Sequence, residues 1–388
     1  MTDAPSNEAG GLVALFMELA SISSPSRRER AAADLVTARL RGLGLEVVED
    51  DAAQRVGGDT GNLRCVVRGR GASPSVCLAA HLDTVEPSGP IRPALNDGVI
   101  RSSSGTILGA DNKAAVAALV TVTEGLVVGG DAFPTFELIF SVAEEVGVLG
   151  SRFLAPDLPA APIAAVFDSS GPVGGIVVRA PSQQTIRATF RGQAAHAGLE
   201  PENGRSAIQA AAHAISLMEL GRLGPETTAN VGMIEGGVAQ NIVPESCRVV
   251  AECRSLDDEM LAATSSRMID ALQLGAARVG TDLDLDVVTE YRAFRLDESS
   301  AVVGLARRAI EALGLPARTH ASGGGSDANV FNGRGTPTVN FDCGMSRVHT
   351  AEESMDVAQL VLLGELVRNV IVMAEPAGGG RSGSEGVV

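Results

Sequence analysis

Residues 12–22 and 27–43 carry apolar side chains at helical spacing, the second run opening after Pro25-Ser26 and closing near Gly42–Gly44, and predict two N-terminal helices. Short apolar runs at 63–67, 76–80, 136–142 and 163–167 follow, with a long helical pattern at 113–128 among them, an alternation that predicts an α/β layered domain. From 180 to 294 the texture changes to alternating strands at 185–190 and 248–253 and helices at 206–220 and 257–279. Beyond it the first texture returns, with helices at 301–313 and 355–373 and a strand at 336–340. The expected organisation is one discontinuous domain over 1–179 and 295–374, an inserted α+β domain over 180–294, and a disordered Gly/Ser/Pro tail over 375–388.

Composition narrows the function classes. An apolar content of 45% excludes intrinsic disorder, and the 45 glycines show no fixed period, which excludes a collagen-like chain. A formal charge of −16 has the wrong sign for phosphate backbones or anionic membranes, so neither nucleic acid nor membrane is an expected partner. Tryptophan is absent and Tyr291 stands alone, leaving no platform for stacking bases. The five cysteines are scattered without a Cys-x-x-Cys pair, no basic leader opens the chain, and no stretch reaches ~18 uninterrupted apolar residues; a cytoplasmic location is the expectation.

Three apolar runs end in metal-capable side chains: 76–80 leads into His81, 136–142 into Glu144 and Glu145, and 163–167 into Asp168. In open α/β sheets ligands gather beyond the carboxyl ends of strands, so these ends are expected to converge. Asp83, two residues beyond His81 on extended backbone, faces the same side and can orient the imidazole. Asp111, in Gly109-Ala110-Asp111-Asn112-Lys113, suits either a helix cap or a carboxylate bridging two cations. Lys113, the one lysine of the chain, suits either a pair with nearby carboxylates or a solvated first turn. Adjacent Glu144 and Glu145 can divide the work, one ligating and the other accepting a proton. His349 lies where the first texture has returned. In the inserted segment His196, flanked by small residues, can donate to an oxyanion, and Asn241 and Arg254 can bind a carboxylate; each also suits a structural role. His213 and His320 have no such context.

The set His81-Leu82-Asp83-Thr84-Val85, Gly109 to Ala114, Glu144-Glu145-Val146-Gly147, Asp168, Ala195-His196-Ala197-Gly198, Asn241-Ile242-Val243-Pro244-Glu245 and Gly323 to Asn329 followed by His349-Thr350 runs through nearly the whole chain. In that order it resembles the co-catalytic di-zinc metallopeptidases of the aminoacylase and glutamate-carboxypeptidase clan, most closely the peptidase T and peptidase-T-like branch. The resemblance implies a three-layer zinc-peptidase-like catalytic domain with an inserted lid that dimerises. It implies two divalent ions, zinc or else cobalt or manganese, with His81 and Asp168 on one, Glu145 and His349 on the other, and Asp111 on both. Asp83 would orient His81, Glu144 would be the general base, and a non-proline cis peptide would follow Asp111. His196 would stabilise the oxyanion, while Asn241, Arg254 and Asn329 would position the substrate. Aspartate at position 168 leans toward an aminopeptidase acting on small peptides; an acyl-amino-acid deacylase is the alternative within the clan.

Overall fold

The computed structural model describes residues 4–375, so all but the first residue of the expected tail at 375–388 lies outside the described residues. The described residues divide into two compact units, residues 4–178 with 295–322 and 326–375, and residues 179–294 with 323–325.

In the larger unit the central sheet runs in the order Val47–Glu49, Leu63–Val67, Phe136–Ser141, Cys77–His81, Ala164–Ser169, Thr338–Asp342 and Gly175–Ala180. Its middle four strands are parallel, with His81 level with Ser141, Cys77 with Ala164 and Phe341 with Phe167. Alternate residues Leu78, Ala80, Leu138, Phe140, Phe167 and Phe341 join the core of the long helices, and the intervening Ala79, Ile139 and Val166 are equally buried. Helices therefore cover both faces, which is why these strands read as continuous apolar runs.

The helix Ala110–Gly129 lies at the heart of this packing, against the strands Cys77–His81 and Ala164–Ser169 and the helices Ala4–Ser21, Arg30–Gly42 and Val357–Met373. By length and composition it could pass for a membrane span, but it is apolar all round because it is enclosed all round. That enclosure also decides Lys113, which neither pairs as a surface residue nor reaches solvent: it is buried, and its Nζ donates to the Ile22 carbonyl.

A small four-stranded sheet that apolar periodicity does not announce joins Met345–Ser346, Ser354–Asp356, Val99–Ser102 and Pro93–Asn96. Its pairing of Met355 with Ile100 brings the 347–353 loop beside the 103–111 segment.

The smaller unit is an antiparallel sheet, in the order Gly221–Arg222, Thr227–Gly236, Ser246–Ser255, Ser182–Arg191 and Asp282–Tyr291. Ile186, Ala188, Phe190, Val249 and Ala251 alternate into its core, which the helices Ala207–Ser216 and Asp258–Val279 close. The helices approach closely because Gly275 has no side chain: a Cβ there would stand 2.6 Å from the Ala210 carbonyl oxygen. Gly323–Gly325 group with this unit rather than with their neighbours in sequence. Tyr291 explains this, since its hydroxyl accepts from the Gly325 N–H at 3.1 Å, and a Cβ on Gly325 would stand 2.2 Å from the ring.

Candidate metal centre and active site

The parallel register delivers three side-chain groups to one place. His81 is the last residue of its strand, Asp168 is the penultimate residue of the neighbouring one, and Glu144 and Glu145 lie just beyond Ser141. His81 Nε2 is 3.2 Å from Asp111 Oδ1 and 3.1 Å from Asp168 Oδ1. His349 Nε2 is 2.9 Å from Glu145 Oε1 and 3.3 Å from Asp111 Oδ2. Asp111 therefore turns one oxygen to each histidine, between a His81–Asp168 group and a His349–Glu145 group. It is not a cap: its backbone, at φ −80° and ψ 104°, interrupts the helical conformation, and the Asp111–Asn112 peptide is cis. Glu144 lies close to His81 and Asp168, its ligand atom within 4.8 Å of theirs.

Electrostatics shows what this cluster is suited to hold. Burial holds the Glu144 carboxyl well above the usual range, and the neighbouring Asp168 charge adds to it. Burial pushes Asp168 up to about 8 against the favourable His81 interaction, and raises Glu145 as well. Although burial opposes its ionisation, Asp111 is held below the usual range by hydrogen bonds from His349 and His81. For His81 burial favours the neutral ring, but Asp168 and Asp111 overcome it and raise the imidazole well above its ordinary value. His349 is lifted to about 10 by its bonds to Asp111 and Glu145. Four carboxylates in so small a volume repel one another, and imidazole nitrogens beside carboxylate oxygens form a donor set suited to borderline divalent cations. The Asn112 amide oxygen is also buried there without a hydrogen-bond partner, while its nitrogen donates to Asp168 Oδ1 at 3.3 Å. The residues fit the metal ions that the sequence resemblance implies.

Asp83 does more than was expected of it. His81 Nδ1 meets the Asp83 carbonyl at 2.9 Å, so backbone as well as the carboxylate, at 3.3 Å, fixes the ring. The Asp83 carboxylate accepts chiefly from the N–H groups of Glu144 at 3.0 Å and Glu145 at 3.1 Å, and from the Ser26 hydroxyl at 2.6 Å. The Ala143 N–H beside them donates to Glu29 Oε1 at 2.9 Å. Three successive amides are thus held by two buried carboxylates, and Ala143 takes a φ of 51°, turning Glu144 and Glu145 toward the site.

Glu29 was not among the expected site residues. Ser26 and Glu29 have the spacing of a capping box, and the second helix was expected to begin at 27. It begins at Arg30 because Arg27 is left-handed, at φ 74°, and the Ser26 hydroxyl serves Asp83 instead. Glu353 and Asn340 were also missed: Asn340 Oδ1 accepts from the Asp168 N–H at 2.9 Å, and Glu353 holds the turn before Asp111. Their signal is weak, namely an acid four residues after His349 and a polar residue near the end of an apolar strand.

The expected substrate residues are placed as follows. His196 and Asn241 are exposed neighbours in the smaller unit, where the Ala197 N–H donates to the Asn241 carbonyl at 3.0 Å. Arg254, in the same unit, donates to Glu252 at 2.9 Å. Asn329 is buried in the larger unit, where its amide oxygen accepts from the Ser326 N–H at 3.0 Å and caps the helix Asp327–Gly333. His320 pairs with Asp342 at 3.1 Å.

Comparison with known proteins points to peptidases. A model of the peptidase dimerisation domain matches residues 182–278, and a model of peptidase family M28 matches residues 62–198. The chain is 38% identical over 356 residues to the uncharacterized protein YqjE of Bacillus subtilis, covering 92% of this chain and 96% of that one. Among solved structures it is similar to the aminopeptidase PepT of Bacillus cereus, at 40% identity and a TM-score of 0.79, with 94% of this chain and 98% of that one covered. It is also similar to a tripeptidase of Staphylococcus aureus, at 35% identity and a TM-score of 0.85, with the same coverage.

Proposed function

Since the chain belongs to the peptidase T-like family of metal-dependent peptidases, we propose that it is an aminopeptidase that removes the N-terminal residue of tripeptides and similar small peptides with two divalent metal ions, zinc favoured. The observation that carries this reading is Asp111, with one oxygen 3.2 Å from His81 and the other 3.3 Å from His349, beside a Glu144 carboxylate whose oxygen lies within 4.8 Å of the His81 and Asp168 ligand atoms.

His81, Asp111 and Asp168 would hold one ion, and Asp111, Glu145 and His349 the other. Such ions supply Lewis-acid polarisation of the scissile carbonyl and lower the pKa of water. The protein's own residues supply position and proton transfer. Glu144, whose proton affinity is raised by burial, accepts a proton at a carboxylate oxygen and releases it to the departing amine. Asp83 keeps Glu144 and Glu145 aimed through their backbone N–H groups, and the Asp83 carbonyl keeps His81 Nε2 turned to the carboxylates. In the smaller unit, His196 is proposed to donate to the oxyanion, and Asn241 and Arg254 to bind the peptide; Asn329 would act by capping its helix near Ser326.

A homodimer through the smaller unit fits its match to a peptidase dimerisation domain and its exposed Met233, Ile234 and Val238. A cytoplasmic location fits five free, buried cysteines. The deciding experiment loads purified chain with zinc, cobalt or manganese and offers tripeptides, dipeptides, N-acetylated tripeptides and N-acyl-amino acids. Cleavage of tripeptides, blocked by N-acetylation, is expected. Turnover confined to N-acyl-amino acids would replace the peptidase reading with a deacylase.

A further inference from the structure

Glu353 reaches from the loop that carries His349 to the turn that carries Asp111. Its Oε2 accepts from the N–H groups of Leu108 at 2.7 Å and Gly109 at 2.8 Å, and its Oε1 accepts from the N–H of Asp111 at 3.0 Å. The residue is 2% exposed, so these bonds are shielded from water. The turn departs from helical geometry: Gly109 is left-handed at φ 74°, and Asp111 and Asn112 are non-helical. His349 itself sits at φ 64°, in a loop closed by the bond from the Glu353 N–H to the Thr350 carbonyl at 3.1 Å. One side chain thus ties together residues 242 to 245 positions apart, and it does so at the two places that supply the shared carboxylate and one of the imidazoles.

We propose that Glu353 is a positioning residue of the metal centre: by gathering three backbone N–H groups it fixes the direction of the Asp111 carboxylate relative to His349, and so sets the affinity for the ion that Asp111 and His349 share. The proposal rests on the reading of Asp111 and His349 as metal ligands. Its sharpest test is Glu353→Gln. The substitution keeps the shape, but its NH2 must point either at the Leu108 and Gly109 donors or at the Asp111 donor, so at least one N–H is left facing another donor.

Metal-free full-length wild type, Glu353→Gln and the neighbouring exposed control Glu352→Gln would be titrated with Zn2+ by calorimetry, melted without metal, and assayed on a tripeptide. For Glu353→Gln the expected result is at least tenfold weaker binding of one zinc, kcat at least a hundredfold lower with KM within threefold, and a metal-free melting temperature lowered by only a few degrees, as one unsatisfied buried N–H requires. Glu352→Gln should match wild type throughout. Wild-type zinc affinity and kcat in Glu353→Gln would overturn the inference alone, as would a lowered melting temperature with unchanged affinity. A wild-type chain that binds no zinc would overturn the metal reading and the inference together. Should Glu353→Gln fail to fold, Glu353→Asp decides: it keeps the charge but withdraws the oxygens, and weakened zinc binding is expected. Wild-type binding in Glu353→Asp, or its failure to fold as well, would count against the proposal.

Discussion

The two units bury different things. The smaller one hides aliphatic side chains, alanines and two cysteines, and keeps much of its charge outside, as in the cross-strand pairs Arg191–Asp284 and Arg187–Asp286. The larger one hides Glu29, His81, Asp83, Lys113, Asp327 and Glu353 beside an apolar core. Buried charge is costly unless it is hydrogen-bonded or paired. In the larger unit the Glu29, Asp83 and Glu353 carboxylates accept from backbone N–H groups at turns that carry candidate ligands, and this bonding holds the site in shape. The smaller unit has no such requirement, and ordinary packing suffices there.

The largest effect should come from the site. Glu144→Gln is expected to lower kcat by about 10²–10⁴-fold, with zinc content and melting temperature near wild type. Activity within tenfold of wild type would remove Glu144 as the base and leave the larger unit's buried charges without a catalytic reason.

The smaller unit should respond through stability. Phe190→Ala, at a fully buried position of its core, is expected to cost about 3–5 kcal/mol in denaturant unfolding while zinc affinity of the folded chain stays within twofold. A matching loss of zinc affinity would show that the contrast between the units is drawn too sharply.

Glu29 tests the cost of buried charge directly. Burial and the nearby Asp83 raise its pKa from 4.5 to about 7, so the folded chain holds this proton more tightly than the unfolded one. Its contribution is therefore least unfavourable below 4.5, and stability falls as pH rises toward 7, by up to about 3 kcal/mol. Glu29→Gln keeps an oxygen for the Ala143 N–H and removes the titration. Metal-free wild type should lose stability relative to Glu29→Gln across that window, and parallel melting curves would refute the assignment.

The smallest effect belongs to the exposed pair Arg191–Asp284, where Asp284→Ala is expected to change stability by less than about 1 kcal/mol and turnover not at all.

Much of this molecule can be read from the chain because period and strand ends survive in one dimension. Apolar runs located the strands that end near His81, Glu144, Glu145 and Asp168, and the order of motifs carried the family likeness. In the smaller unit, alternation marked the strands around 185–190 and 248–253. The four-stranded sheet around Ser354–Asp356 was not legible, because strands of two to four residues are too short to show a period.

What tertiary structure alone decided is which side chains hold the backbone. Glu29 acts on an amide 114 residues away and Glu353 on one 245 residues away, and nothing in a local pattern reports an acceptor waiting at that distance. Asp111 had two readings in the sequence, cap or bridge, and only the placement of both histidines around its carboxylate separates them. Residue type and periodicity determined the candidate ligands and the sheet they sit on. Their orientation came from turns whose N–H groups had to be satisfied after the chain had packed.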